Sequence, residues 1–133
     1  MDKPQRTLNL ILLTILSPLL LVTGIVNFFL PDHLYWIDTI WYCNLVHILA
    51  GTLGLLVVWK KSPILARRFN LALGMIYLYE VVANFAGLFP ARITNWSSVD
   101  DMVYLFTGML LILCGIHGQK KTAIIFTSHT QVS

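Results

Sequence analysis

Charge is what this sequence has least of. Only 11 % of its 133 residues are Asp, Glu, Lys or Arg, against roughly 25 % in soluble domains. With 57 % hydrophobic residues and a mean hydropathy of +0.76, the chain reads as an integral membrane protein. Its length commits nearly every residue to crossing the bilayer, which excludes a soluble catalytic or nucleic-acid-binding module. The net charge of +3 therefore bears on topology and not on nucleic acid.

Cysteine is nearly as scarce. The two present, Cys43 and Cys114, lie in apolar runs where a thiol behaves as a small core residue. At ~1.5 Å rise per helical residue they would differ in depth by roughly 13 Å, whereas a disulfide needs Cα atoms within about 7 Å. Paired-thiol redox chemistry, which needs two neighbouring cysteines, is disfavoured on the same ground. The sequence also has no Gly-rich phosphate loop, no metal-ligand cluster and no nucleophile paired with a base. These gaps lead us to expect a protein that is not an enzyme.

Long apolar runs dominate what is there. Four of them reach or approach the ~20 residues needed to span a bilayer, predicting helices over 8–30, 40–59, 69–89 and 102–118. The expected fold is all-α: an integral membrane four-helix bundle over residues 1–118, followed by a short cytoplasmic tail, 119–133, in which His129 is solvated. The first run follows Lys3 and Arg6 as a signal peptide would. It is too long for one, however, and no small-x-small site follows, so it is read as a retained helix kinked at Pro18.

Lys and Arg near helix ends set orientation. Lys3, Arg6, Lys60, Lys61, Arg67, Arg68, Lys120 and Lys121 fall on one side. The other side has Arg92 alone against Asp32, Asp38, Asp100 and Asp101, with Tyr35, Trp36 and Trp96 as interfacial aromatics. Both termini are therefore expected to be cytoplasmic. The triplet Asn95-Trp96-Ser97 has the form of a glycosylation sequon, but it hugs the membrane and such triplets are common by chance.

Sliding the chain against itself by 57 residues matches Asn27-Phe28 with Asn84-Phe85, and Asn44, Val46, His47 and Gly51 with Asp101, Val103, Tyr104 and Gly108. Each copy is one helix pair, so the bundle reads as two parallel-repeat hairpins related by an axis along the membrane normal. In each hairpin the polar and small residues recur at three and four positions, which puts them on one face: Asn44, His47, Gly51, Gly54 and Val58 in the second helix, and Asp101, Tyr104, Gly108, Leu111 and Gly115 in the fourth. Tyr77, Glu80, Asn84 and Gly87 do the same in the third. Small residues let helices approach closely in lipid, so these faces should line the bundle interior.

Counted from the outer ends at ~1.5 Å per residue, Asn27, Asn44, His47, Glu80, Asn84, Asp101 and Tyr104 all fall in the outer half. The inner half is nearly unbroken Leu, Ile, Val and Ala, apart from Thr7, Asn9, Asn70 and His117 near the interface. An ionised carboxylate at the depth of Glu80 costs several kcal/mol, so Glu80 is expected to be neutral or paired. A contact to His47, at similar depth, is the expected pairing. The cluster is a candidate ligand site or a hydrogen-bonded clamp that holds helix register.

The Asn44-x-x-His47-x-x-x-Gly51 motif, the segment RRFNLALGMIYLYEVVANFAGLF and the second-half counterpart of the motif together resemble a bacterial family of small four-helix membrane proteins. That family is known as a domain of unknown function and is loosely similar to DoxX-like proteins. The resemblance covers Leu8 to Gly118. Relatives usually show Asn-x-x-His in both halves. Here Asp101 and Tyr104 depart from that pattern, which removes the basis for a symmetric two-histidine site. The resemblance implies the fold and no activity.

Three functions remain. The first is a non-catalytic accessory or scaffold subunit packed beside a larger complex in a bacterial inner membrane or thylakoid-type membrane. The second is a pigment-binding peripheral subunit of a photosynthetic complex, with His47 as axial ligand to chlorophyll; a lipid is the other candidate cofactor. Pairing His47 with His117 around a haem is disfavoured, because about 12 Å of depth separates them. The third is a small transporter with an outer-facing polar site. The partners expected are the bilayer and other membrane subunits.

Overall fold

The computed structural model describes residues 7–29, 41–90 and 98–118. The acidic connecting segments, with Asp32, Asp38, Arg92, Tyr35, Trp36 and the triplet at 95–97, lie outside these residues. So do Lys3, Arg6, Lys120, Lys121 and the tail 119–133 with His129. Among the described residues the regular structure is helix alone: α1 (Leu8–Phe29), α2 (Trp41–Trp59), α3 (Pro63–Ala86) and α4 (Ser98–His117). All four are long and apolar enough to cross a membrane. At ~1.5 Å per residue even the 19 residues of α2 approach the ~30 Å hydrocarbon thickness.

The helix ends follow local chemistry. Helix α3 begins six residues before the apolar run expected to start at Phe69, because Ser62 and Pro63 form a start signal that hydropathy overlooks. The Ser62 hydroxyl accepts from the Leu65 N–H, and Pro63 occupies the first helical turn, where no N–H is needed. Its other end is closed by Gly87 at φ 60°, with Gly87 N–H donating to the Asn84 carbonyl and Leu88 N–H to the Ala83 carbonyl. That left-handed turn is one glycine adopts readily. Helix α4 starts at Ser98, four residues earlier than expected, with Asp100 and Asp101 in its first turn, where carboxylates complement the helix dipole. Helix α1 continues through Pro18 without interruption.

The helices pair as two hairpins, α1 with α2 and α3 with α4. Helix α1 also touches α3 and α4, and α2 touches α3, whereas α2 and α4 make no backbone approach, so these two occupy opposite corners of the bundle. Close approach within each hairpin rests on small residues. A methyl placed on Gly51 would lie 2.6 Å from the Leu21 nitrogen and 2.8 Å from the Ser17 carbonyl oxygen, and one on Gly54 would collide with the Ser17 hydroxyl. In the second hairpin a methyl on Gly108 would lie 3.1 Å from both the Gly74 carbonyl oxygen and Leu78, and one on Gly74 would lie 3.1 Å from Leu111 Cβ. The pairs 17/51, 21/51 and 17/54 thus recur as 74/108, 78/108 and 74/111, each residue displaced by the same 57 positions.

Burial is inverted relative to a water-soluble domain. Phe29, Phe85, Trp59 and Phe106 are 74 to 84 % exposed, while Asn9, Ser17, Asn44, His47, Asn70, Glu80 and Asp100 are buried. In lipid, outward apolar side chains satisfy the solvent and inward polar ones join helices. The faces expected to line the interior do so: Asn44, His47, Gly51 and Gly54 on α2, Tyr77 and Glu80 on α3, and Tyr104, Gly108, Leu111 and Gly115 on α4 are buried. Cys43 is buried, Cys114 is half-buried, and neither forms a disulfide.

Candidate functional site

Two polar groupings sit at opposite ends of the bundle. At the basic end, marked by Lys60, Lys61, Arg67 and Arg68, Asn70 Nδ2 donates to Asn9 Oδ1 at 2.8 Å and to the Asn9 carbonyl at 3.3 Å. Both asparagines are fully buried. Arg67 Nε donates to the Gly115 carbonyl at 3.0 Å, satisfying one of the carbonyls that the last turn of α4 leaves open. Two of the few polar residues of the mainly apolar inner half, Asn9 and Asn70, thus join α1 to α3.

At the acidic end Asn27, His47 and Tyr104 line one cavity, with three departures from the expected cluster. Asn84 Nδ2 donates to Asp101 Oδ2 at 2.7 Å, tying α3 to α4. This bond keeps Asp101 at the rim. Its neighbour Asp100 is the buried one, at 2 % exposure. Asp100, Tyr104 and Thr107 fall on one face of α4, four and three residues apart, and all three line a cavity of about 270 Å³. The remaining wall is Leu16, Leu19, Leu20, Thr23 and Asn27 of α1, with His47 from α2 and Tyr77 from α3. Asp100, Tyr77, Thr23 and Thr107 are thus site residues missing from the sequence expectation. The i, i+4, i+7 spacing from Asp100 was the available signal, and the match of Asn44 to Asp101 drew attention to the wrong carboxylate.

The second change concerns His47. No hydrogen bond or ion pair joins it to Glu80 among the described residues, so the expected contact is not made. The His47 ring instead lies 6.2 Å from the Tyr104 ring, tilted by 55°, and Asp100 is within electrostatic range of it. Tyr104 in turn lies 5.2 Å from Tyr77, and Glu80 is within electrostatic range of both tyrosines. Helical spacing sets depth and face but not the rotation of one helix against another, and the His47 ring on α2 meets α4 through Tyr104.

Third, polar capacity is left over. His47 is 8 % exposed and Tyr77 2 % exposed, yet among the described residues His47 Nδ1 and the Tyr77 hydroxyl have no hydrogen-bond partner. A buried polar group without one costs about 1–3 kcal/mol. Both residues line the cavity. At the same end, Asn44 Oδ1 and Asp101 Oδ1 are likewise buried and partnerless.

The cavity is small for a pigment. Its volume of about 270 Å³ falls just below the ~300–1,000 Å³ range of ligand pockets, which suits a single ring or a compact head group and not a chlorin. His117 is exposed on the last turn of α4, its Nδ1 3.2 Å from the Leu113 carbonyl oxygen, so the two described histidines stand at opposite ends. Among the described residues no three His, Cys, Asp or Glu side chains converge as a metal-binding set. No known protein family, curated protein or solved structure matches this chain.

Proposed function

We propose that the chain is a non-catalytic, multi-pass membrane protein that holds a small ligand in its acidic-end cavity and serves as an accessory subunit beside a larger membrane assembly. The carrying observation is the cavity between α1 and α4, lined by His47 and Tyr77, whose buried Nδ1 and hydroxyl have no hydrogen-bond partner among the described residues. Such unmet capacity is costly in a purely structural bundle and useful in a binding one. We further read the two hairpins as an internal repeat, which the matched contacts 57 residues apart support, and place the basic end on the cytoplasmic side.

Native mass spectrometry of gently extracted protein tests the binding reading: one co-purifying molecule per chain is expected, lost when Thr107→Trp fills the cavity. Identical spectra for both proteins would overturn it. A native gel tests the subunit reading, which fails if the protein migrates as a lone 15.1 kDa chain.

A further inference from the structure

From the shape and chemistry of the same cavity we infer that its ligand is a neutral, single-tailed amphiphile of the bilayer with a hydrogen-bonding ring as its head, of the isoprenoid quinone or quinol type. The inference rests on the binding reading above and names the class of molecule bound. It concerns binding alone and assigns no electron transfer.

Access comes first. Leu19 on α1 and Val103 on α4 both line the cavity and are 58 % and 47 % exposed, so its mouth opens sideways between these two helices. In a membrane that opening faces acyl chains, and the ligand reaches it by lateral diffusion. The α1 wall runs from Leu16 to Asn27, about 16 Å at ~1.5 Å per residue. Leu16, Leu19 and Leu20 give it an apolar stretch along which one tail packs, and a volume of about 270 Å³ is too small to enclose a head with two acyl chains.

The deep end selects the head. His47, Tyr77 and Tyr104 present three rings at centroid separations of 5.2 and 6.2 Å, a wall on which a flat ring packs in offset or edge-to-face geometry. His47 Nδ1 and the Tyr77 hydroxyl, without partners among the described residues, are matched by ring oxygens: a ring carbonyl accepts from the Tyr77 O–H, and a ring hydroxyl can also donate to Nδ1. Among the described residues no lysine or arginine lines the cavity, so nothing there pairs with the charge of a fatty acid or a phosphate, and burying such a head unpaired is costly. A volume of about 270 Å³ admits one substituted ring.

The test measures binding of a decyl-substituted benzoquinone to the full chain in lipid nanodiscs, corrected against protein-free nanodiscs, with decanol and decanoate as comparison probes. Saturable, stoichiometric quinone binding is expected, with a loss of at least tenfold in affinity for His47→Leu and for Tyr77→Phe. A similar loss is expected for Leu19→Trp, which narrows the mouth from an exposed position and leaves the core packing alone. Decanoate should neither bind nor compete. If decanol binds as tightly with the same dependence on these variants, the ring-headed class is overturned while the cavity remains a binding site. If no probe responds to Leu19→Trp or Tyr77→Phe, both the class and the site fall.

Discussion

Replacing Asn70 by leucine strands the buried Asn9 oxygen it serves, and replacing Asn9 strands Asn70. Each single change should lower stability by about 1–2 kcal/mol, with the double variant losing less than the sum and a coupling of ~0.6–1.7 kcal/mol. Detergent unfolding curves for the four proteins measure this, and strict additivity would mean that the bond contributes nothing. At the other end, Asn84→Leu leaves the Asp101 carboxylate without its 2.7 Å donor and should cost about 1.5–3 kcal/mol. Asp101→Asn, which keeps an acceptor, should cost well under half of that in the same assay. Individual residues were the least legible scale. Helical spacing separates interior from exterior, so Asn44, His47, Tyr77, Glu80 and Tyr104 could be read as inward. Spacing does not say which inward group meets which, because partner choice across a seam depends on rotation and offset between helices. That is why Asn9 with Asn70 emerged as the joined pair, and why Asp100 displaced Asp101 from the cavity.

Helix contacts are set by backbone proximity, and the glycines report how close it is. Gly51→Ala should destabilise the first hairpin by about 2–3 kcal/mol, near the top of the usual overpacking range, since its methyl meets backbone atoms of Leu21 and Ser17 at 2.6 and 2.8 Å. Gly108→Ala, whose nearest atoms are at 3.1 Å, should cost about 1 kcal/mol. Equal losses in thermal unfolding would show that the two hairpins pack with the same tightness. Gly87→Ala has open space around it and should cost about 1 kcal/mol through its positive φ alone. At this scale the four apolar runs were readable to within a few residues, because bilayer thickness dictates their length. The early start of α3 was missed: Ser62 and Pro63 begin a helix before it reaches the hydrocarbon, and hydropathy records only the part within it.

For the molecule as a whole, the proposed orientation follows from the excess of Lys and Arg at one end. A single cysteine at Lys61, in a background with Cys43 and Cys114 replaced by alanine, should react with a membrane-impermeant maleimide only after the cytoplasmic face is exposed. Labelling from the opposite face would invert the topology. The sequence by itself determined that the chain is a membrane-spanning helical bundle, which faces turn inward and which residues are small enough for close packing. It could do so because bilayer thickness, helical period and the cost of bare polar groups in lipid act on each segment separately. Tertiary structure alone decided that α2 and α4 stand at opposite corners, that His47 faces Tyr104 and Tyr104 faces Tyr77, and that a cavity is left between α1 and α4. Those outcomes depend on how helices rotate and offset against one another, and that geometry belongs to no single segment.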